Sequence, residues 1–261
     1  MPIIGWACPI CRNPRAPLDH YEASDCGGRI HSDYAAAVLA DNRKDRAEGV
    51  HVTTVLNCPR KSAIEQQADV YVDPLAYNSM IGGTGWHKLM EASSNRPELC
   101  EVEVAGVVDG VRLVGTIDRL HPPTAISDWK TTSEWAEKWL GKPKDEGGGM
   151  KAEHLAQMSL YAELVEQSQG WRPLHGVVWY RTHKTILPFA ERLWTLEQTL
   201  DFRPLSGDLT VAQLLNEAAS ADNWQEMELA GQSMKYGAAK TACDYCSVRE
   251  ICWTENRKAP F

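Results

Sequence analysis

A mixed α/β fold with helices flanking a central sheet is predicted by three stretches of the chain. Residues 98–131 alternate apolar and polar residues and are cut twice by turn residues, as in an antiparallel meander. Residues 150–169 carry an apolar stripe of Leu155, Met158, Leu160, Tyr161, Leu164 and Val165 at helical spacing. Leu174 to Tyr180 then reads as a strand that returns after that helix. At 261 residues the chain makes one large domain, or one domain with a small appendage. The boundaries read as a Cys/His-rich extension with a helix over 1–48 and a main domain over 49–261.

The elements follow in order. Residues 32–48 read as a helix that ends at Gly49, and Thr53 or Thr54 caps a second helix through Lys61, with Pro59 early in it. Residues 78–94 read as a helix whose glycines 82, 83 and 85 permit close packing. A phosphate loop is rejected there, because Trp86-His87 stands where Gly-Lys-Ser/Thr is required. His87 on that helix is, taken alone, an ordinary exposed or satisfied histidine. Residues 101–108 form a strand, Asp109-Gly110 a hairpin turn, Val111 to Leu120 a second strand and Ala125 to Thr131 a third. Glu101 and Glu103 share one face and read as solvated. A short helix covers 133–140, and the Gly-rich stretch 142–149 reads as a mobile loop. A strand over 185–193 and helices over 195–202 and 208–220 complete the domain.

Chemistry gathers on the meander. The turn His121-Pro122-Pro123-Thr124 brings Asp118 beside Asp128, and Asp128 and Lys130, two apart on one strand, share a face. Two carboxylates and an ammonium there make either a surface salt bridge or a site for Mg²⁺ or Mn²⁺ with a cation steadying phosphate charge. Gln157 and Tyr161 lie one turn apart on their helix.

The net charge of −8 argues against nucleic-acid binding through an overall basic surface, yet leaves room for a local basic groove. Arg119, Lys138, Lys142, Lys144, Lys151 and His154 lie near these residues in sequence. Ten Trp against three Phe either pack the core or stack on bases. No apolar run is long enough to span a membrane and no signal-peptide pattern opens the chain, so a cytoplasmic protein is expected. Its eight cysteines then read as metal ligands or buried thiols. Cys8, Cys11, Cys26 and His31 have the spacing of a small Zn²⁺ knuckle, with His20 a rival fourth ligand. Cys243, Cys246 and Cys252 are spaced C-x2-C-x5-C, three ligands of either an iron–sulphur cluster or zinc.

In order along the chain stand Cys58, His87, Gly115-Thr116-Ile117-Asp118, Asp128-Trp129-Lys130, Gln157 with Tyr161, and Cys243, Cys246 and Cys252. This series resembles the RecB-like nucleases of the PD-(D/E)XK superfamily. The likeness is to its iron–sulphur branch, that of the CRISPR-associated exonucleases and the AddB nuclease domain. It spans about 58–252 and leaves the N-terminal segment outside. It implies a restriction-endonuclease-like core. It also implies that His87, Asp118, Asp128 and the Trp129 carbonyl hold Mg²⁺ or Mn²⁺. Lys130 would position or deprotonate the attacking water, Gln157 would orient the site, and Tyr161 would support its helix or touch DNA. Cys58 would join the C-terminal trio on one [4Fe-4S] cluster that staples the ends of the domain. The function implied is a deoxyribonuclease, an exonuclease on single-stranded DNA or DNA ends. The setting implied is repair, recombination or phage DNA processing in a prokaryotic cell or phage-infected host, with partner proteins of those processes. The alternative is a non-catalytic DNA-binding accessory module that keeps the fold and metal centres.

Overall fold

The computed structural model describes residues 3–6, 49–56, 58, 60–61, 63–64, 70–72, 78–204, 209–219 and 252. Its centre is a sheet built on the expected meander. Strands β1 (Ile3–Trp6) and β3 (Val70–Val72) pair parallel as a separate two-stranded ribbon, which joins the 1–48 and 49–261 segments. The main sheet contains β2 (Val50–His51), β4 (Cys100–Val108), β5 (Val111–His121), β6 (Ala125–Thr131), β7 (His175–Arg181) and β8 (Ile186–Arg192). Its order is β2-β5-β6-β7-β8, with β4 paired to β5. Pairing is parallel for β2–β5 and β6–β7 and antiparallel for the other three contacts, so the sheet is mixed.

Local chemistry sets these elements. Asp109 (φ +50°) and Gly110 (φ +79°) take the two left-handed positions of a tight hairpin, which fixes Val108 opposite Val111. Parallel β6 and β7 need a crossover, supplied by α3 (Glu134–Leu140) and α4 (Ala152–Gln169). Ser133 caps α3 by accepting from the Ala136 N–H (3.2 Å). The 142–149 stretch is a loop that contains a short 3-10 helix at Lys144–Glu146. Glu146 and Gly148 donate backbone bonds to Pro143 O, and Gly149 donates to Leu140 O. Helix α1 (Val52–Val55) starts earlier than expected and has no side-chain cap. Helix α2 (Asn78–Ala92) packs on β6, and α5 (Leu196–Asp201) and α6 (Val211–Ala219) follow the sheet.

Helix α4 departs from the predicted one-sided stripe: every residue from Leu155 to Val165 is buried. One face lies on the sheet, and α1 and α5 pack against it as well. Its polar residues are therefore satisfied internally. Ser159 donates to Leu155 O (2.8 Å) and accepts from the Trp194 N–H (3.0 Å), and Glu163 pairs with Arg172. Beyond this stretch, Gln167 Nε2 donates to Val107 O (2.9 Å) while its Oε1 accepts from the Val107 N–H (2.8 Å). Close approach of α4 requires glycine on the sheet. A Cβ at Gly115 would stand 2.5 Å from Tyr161 Cε1, and one at Gly176 would stand 2.6 Å from Met158 Cε. Gly115 and Tyr161, quoted above as separate motif residues, are thus one packing unit.

Gly115→Ala is expected to destabilise the fold by about 1–3 kcal/mol, through overpacking against the Tyr161 ring. In urea denaturation most of that cost should vanish when Tyr161→Leu is present as well. Additive losses would show that the two residues do not press on each other.

Candidate active site

The site lies where β5 and β6 part. Their ladder runs from His121↔Ala125 to Arg119↔Ser127 and stops. One step further, side chains replace it. The Trp129 N–H donates to Asp118 Oδ2 (2.5 Å), and His87 Nε2 donates to the Trp129 carbonyl (2.8 Å). A carbonyl only accepts, so His87 Nε2 carries a proton and Nδ1 is the variable atom. Nδ1 faces two carboxylates, Glu101 Oε1 at 3.4 Å and Asp118 Oδ1 at 3.6 Å. The imidazole meets the Trp129 ring edge-on, with centroids 5.7 Å apart.

Glu101 was expected to be a solvated acid. It is instead the third member of a donor set with His87 and Asp118 whose ligand atoms lie within 4.8 Å of one another. The signal was available in the Asp109-Gly110 turn: with Val108 opposite Val111, Glu101 falls opposite Asp118. The flanking pairs Cys100↔Arg119 and Val102↔Ile117 follow that register. Glu101 itself has φ +48°, uncommon for a residue with a side chain, and its buried Oε1 is faced by no group but His87 Nδ1.

Asp128 and Lys130 meet directly, Nζ donating to Asp128 Oδ1 (2.9 Å), with Asp128 only 4% exposed. From α4, Gln157 Nε2 lies 3.4 Å from both Asp128 Oδ1 and the Tyr161 hydroxyl. Tyr161 is buried against Gly115. The structure therefore gathers His87, Asp118, Asp128, Lys130, Gln157 and Tyr161. It leaves the Trp129 carbonyl accepting from His87. Cys58 is half-buried and Cys252 is buried. Cys243, Cys246, the helix expected over 32–48 and the zinc candidates Cys8, Cys11, Cys26 and His31, with His20, lie outside the described residues.

Crowded acids set the electrostatics. Burial, and then the neighbouring Asp128 charge, push Asp118 up to about 7. Burial disfavours the charged form of His87, but Glu101, then Asp118 and the Trp129 carbonyl, outweigh it and hold the imidazole at about 9. Lys130 is likewise disfavoured by burial and held up by Asp128 and Asp118. His154 behaves oppositely: burial, then Lys130, lower it to about 4, so it is neutral near pH 7. The Tyr180 hydroxyl accepts from the Lys151 N–H (3.1 Å) and donates to His154 Nδ1 (2.6 Å). Of the cations near the site in sequence, Lys144 is held by Glu191 and Arg119 by Ser94 and Cys100.

Two carboxylates with an imidazole nitrogen suit a hard divalent ion such as Mg²⁺ or Mn²⁺. Glu101 Oε1, buried and faced only by His87 Nδ1 at 3.4 Å, is the observation that fits such an ion.

A family model described as the PD-(D/E)XK nuclease superfamily matches residues 75–253. No curated protein matches the chain. Among solved structures, that of SSO0001 is similar at 18% identity and a TM-score of 0.55, covering 88% of this chain and 98% of that one. A Eubacterium rectale protein described as "Putative exonuclease" aligns at 14% identity and a TM-score of 0.36, over 80% of this chain and 92% of its own. Among the described residues no helix is long and apolar enough to cross a membrane.

Glu101→Gln removes the largest upward influence on His87. The imidazole, followed by NMR in cation-free protein, is expected to titrate well below about 9 in this variant. An unchanged titration would separate Glu101 from the site.

Proposed function

We propose that this chain, which belongs to the PD-(D/E)XK nuclease superfamily, is a divalent-metal-dependent deoxyribonuclease acting as an exonuclease on single-stranded DNA or DNA ends. The observation that carries this is the His87–Glu101–Asp118 donor set beside the Asp128–Lys130 pair. A bound Mg²⁺ or Mn²⁺ supplies an acidified water and relief of charge on the phosphate. His87, Glu101 and Asp118 would hold it. Asp128 keeps the Lys130 ammonium inside the site, where it orients the attacking water and meets phosphate charge. Gln157 fixes Asp128 from the helix side, and Tyr161 on Gly115 fixes Gln157. The complete set favours an enzyme over a non-catalytic DNA-binding module. Cys58, Cys243, Cys246 and Cys252 would carry a structural [4Fe-4S] cluster, and the N-terminal cysteines a Zn²⁺ knuckle. Cytoplasmic work with repair, recombination or phage replication proteins fits this activity.

A labelled single strand incubated with Mg²⁺ or Mn²⁺ tests the proposal. Lys130→Ala should slow cleavage by on the order of a hundredfold or more while leaving the fold intact, and a chelator should stop it. Equal rates in native and variant protein would sink the reading.

The pH dependence has a definite sign. Ligands must be deprotonated to take a cation. Asp118 loses its proton near 7 and His87 near 9. Cleavage at limiting Mn²⁺ should therefore rise with pH across that window, and saturating Mn²⁺ should move the rise to lower pH. A rate that falls across it would contradict the assignment.

Loss of the cluster has its own readout. Cys58→Ser protein is expected to be colourless and less stable; a stable variant with an unchanged visible spectrum would remove Cys58 from the cluster.

A further inference from the structure

We propose that the outer face of α3 is a stacking platform for unpaired bases of a single-stranded nucleic acid. This deepens, and rests on, the nuclease reading of the neighbouring site. Trp135 is 69% exposed and Trp139 43% exposed, one turn apart, with ring centroids 5.8 Å apart and planes tilted by 56°. Both belong to the outward face of a helix that is otherwise well anchored. Ser133 caps it, Leu140 is buried beneath it, and Glu134 is held by Lys184 and His183. The exposure therefore belongs to a fixed surface and not to a loose end. Two large aromatics kept together in water mark an interaction surface.

Cations on that face identify the occupant. Trp135, Lys138 and Trp139 follow at i, i+3 and i+4 on one stripe of α3, and Lys142 follows just past the helix end. Lys142 Nζ sits 3.9 Å from the centroid of the Trp139 ring, and Lys138 is exposed beside it. Of the acids of the helix, Glu134 is already paired with His183 and Lys184. In a chain of net charge −8 this is a local cationic and aromatic strip. An apolar protein partner would use the rings and leave the lysines without a counterpart. A single strand offers both an aromatic face for each ring and a phosphate for each ammonium. A duplex hides its base faces, so only unpaired bases fit. Position agrees, because Trp135 follows Lys130 by five residues, at most roughly 17 Å of chain.

The test is the anisotropy of fluorescein-labelled oligothymidylate with the full chain, with Ca²⁺ in place of Mg²⁺ and Mn²⁺ so that no cleavage occurs. A Trp135→Ala/Trp139→Ala double variant should bind it about tenfold or more weakly, while binding to a blunt duplex changes less than about twofold. Lys138→Gln/Lys142→Gln should lower the slope of log affinity against log salt by roughly 1.4, at about 0.7 per phosphate contact on a single strand. Equal oligothymidylate affinity in native and double-variant protein would overturn the proposal, as would a native protein that fails to bind it. So would a native dimer in sedimentation that the double variant turns into monomer, since a second copy would then cover the face. Hydrolysis of a small chromogenic phosphodiester by the native protein with Mn²⁺ reports on the nuclease reading separately. Strand binding through the tryptophans without such hydrolysis would leave the platform standing and remove the nuclease.

Discussion

The site depends on the two backbone polar groups of one residue, Trp129. Where β5 and β6 separate, the amide of Trp129 has no strand partner on that side, and an unpaired buried N–H or C=O is costly. Asp118 takes the N–H and His87 takes the carbonyl. Each side chain is thereby fixed by backbone, and each keeps one atom free to point inward. The same two bonds bring a helix, α2, and a strand, β5, to one point on β6. Without the parting of the strands the Trp129 N–H and carbonyl would not be open. Without that open carbonyl, His87 would have nothing to set its tautomer.

Charge makes this arrangement incomplete by itself. Glu101 stands opposite Asp118 on β4, and the Asp128 carboxylate raises the Asp118 pKa from the other side. Like charges in cross-strand register oppose pairing. The protein offsets this with protons, keeping His87 cationic and Asp118 readily protonated, and with the Lys130 ammonium. A divalent ion would replace protons that the fold holds at some cost. Rigidity comes from below, where the buried α4 presses Tyr161 onto the bare backbone at Gly115 and presents Gln157 to Asp128.

Much of this was legible in the chain. Alternation and the Asp109-Gly110 turn gave β4 and β5, and the spacing of Asp128 and Lys130 gave their shared face and direct contact. The same turn also fixed Glu101 opposite Asp118, but a surface glutamate on an alternating strand looks solvated until strand register is counted. The bond from His87 to the Trp129 carbonyl joins residues 42 apart, and no local pattern encodes it. The burial of α4 on all sides was hidden for a similar reason. Ser159 and Glu163 look like a solvent face, and their partners Trp194 and Arg172 come from later segments.

The side chain of Gln167 has a consequence for association. Among the described residues β4 pairs only with β5, and its other side is a sheet edge that no strand among them covers. Such an edge invites a strand from another molecule to extend the sheet, the first step of aggregation. At Val107 both backbone groups are already occupied by the amide of Gln167, which mimics the strand that would have docked. Helix α4 thus does for the rim of the sheet what a guard does for a blade: it leaves an incoming chain no free peptide at that position to grip.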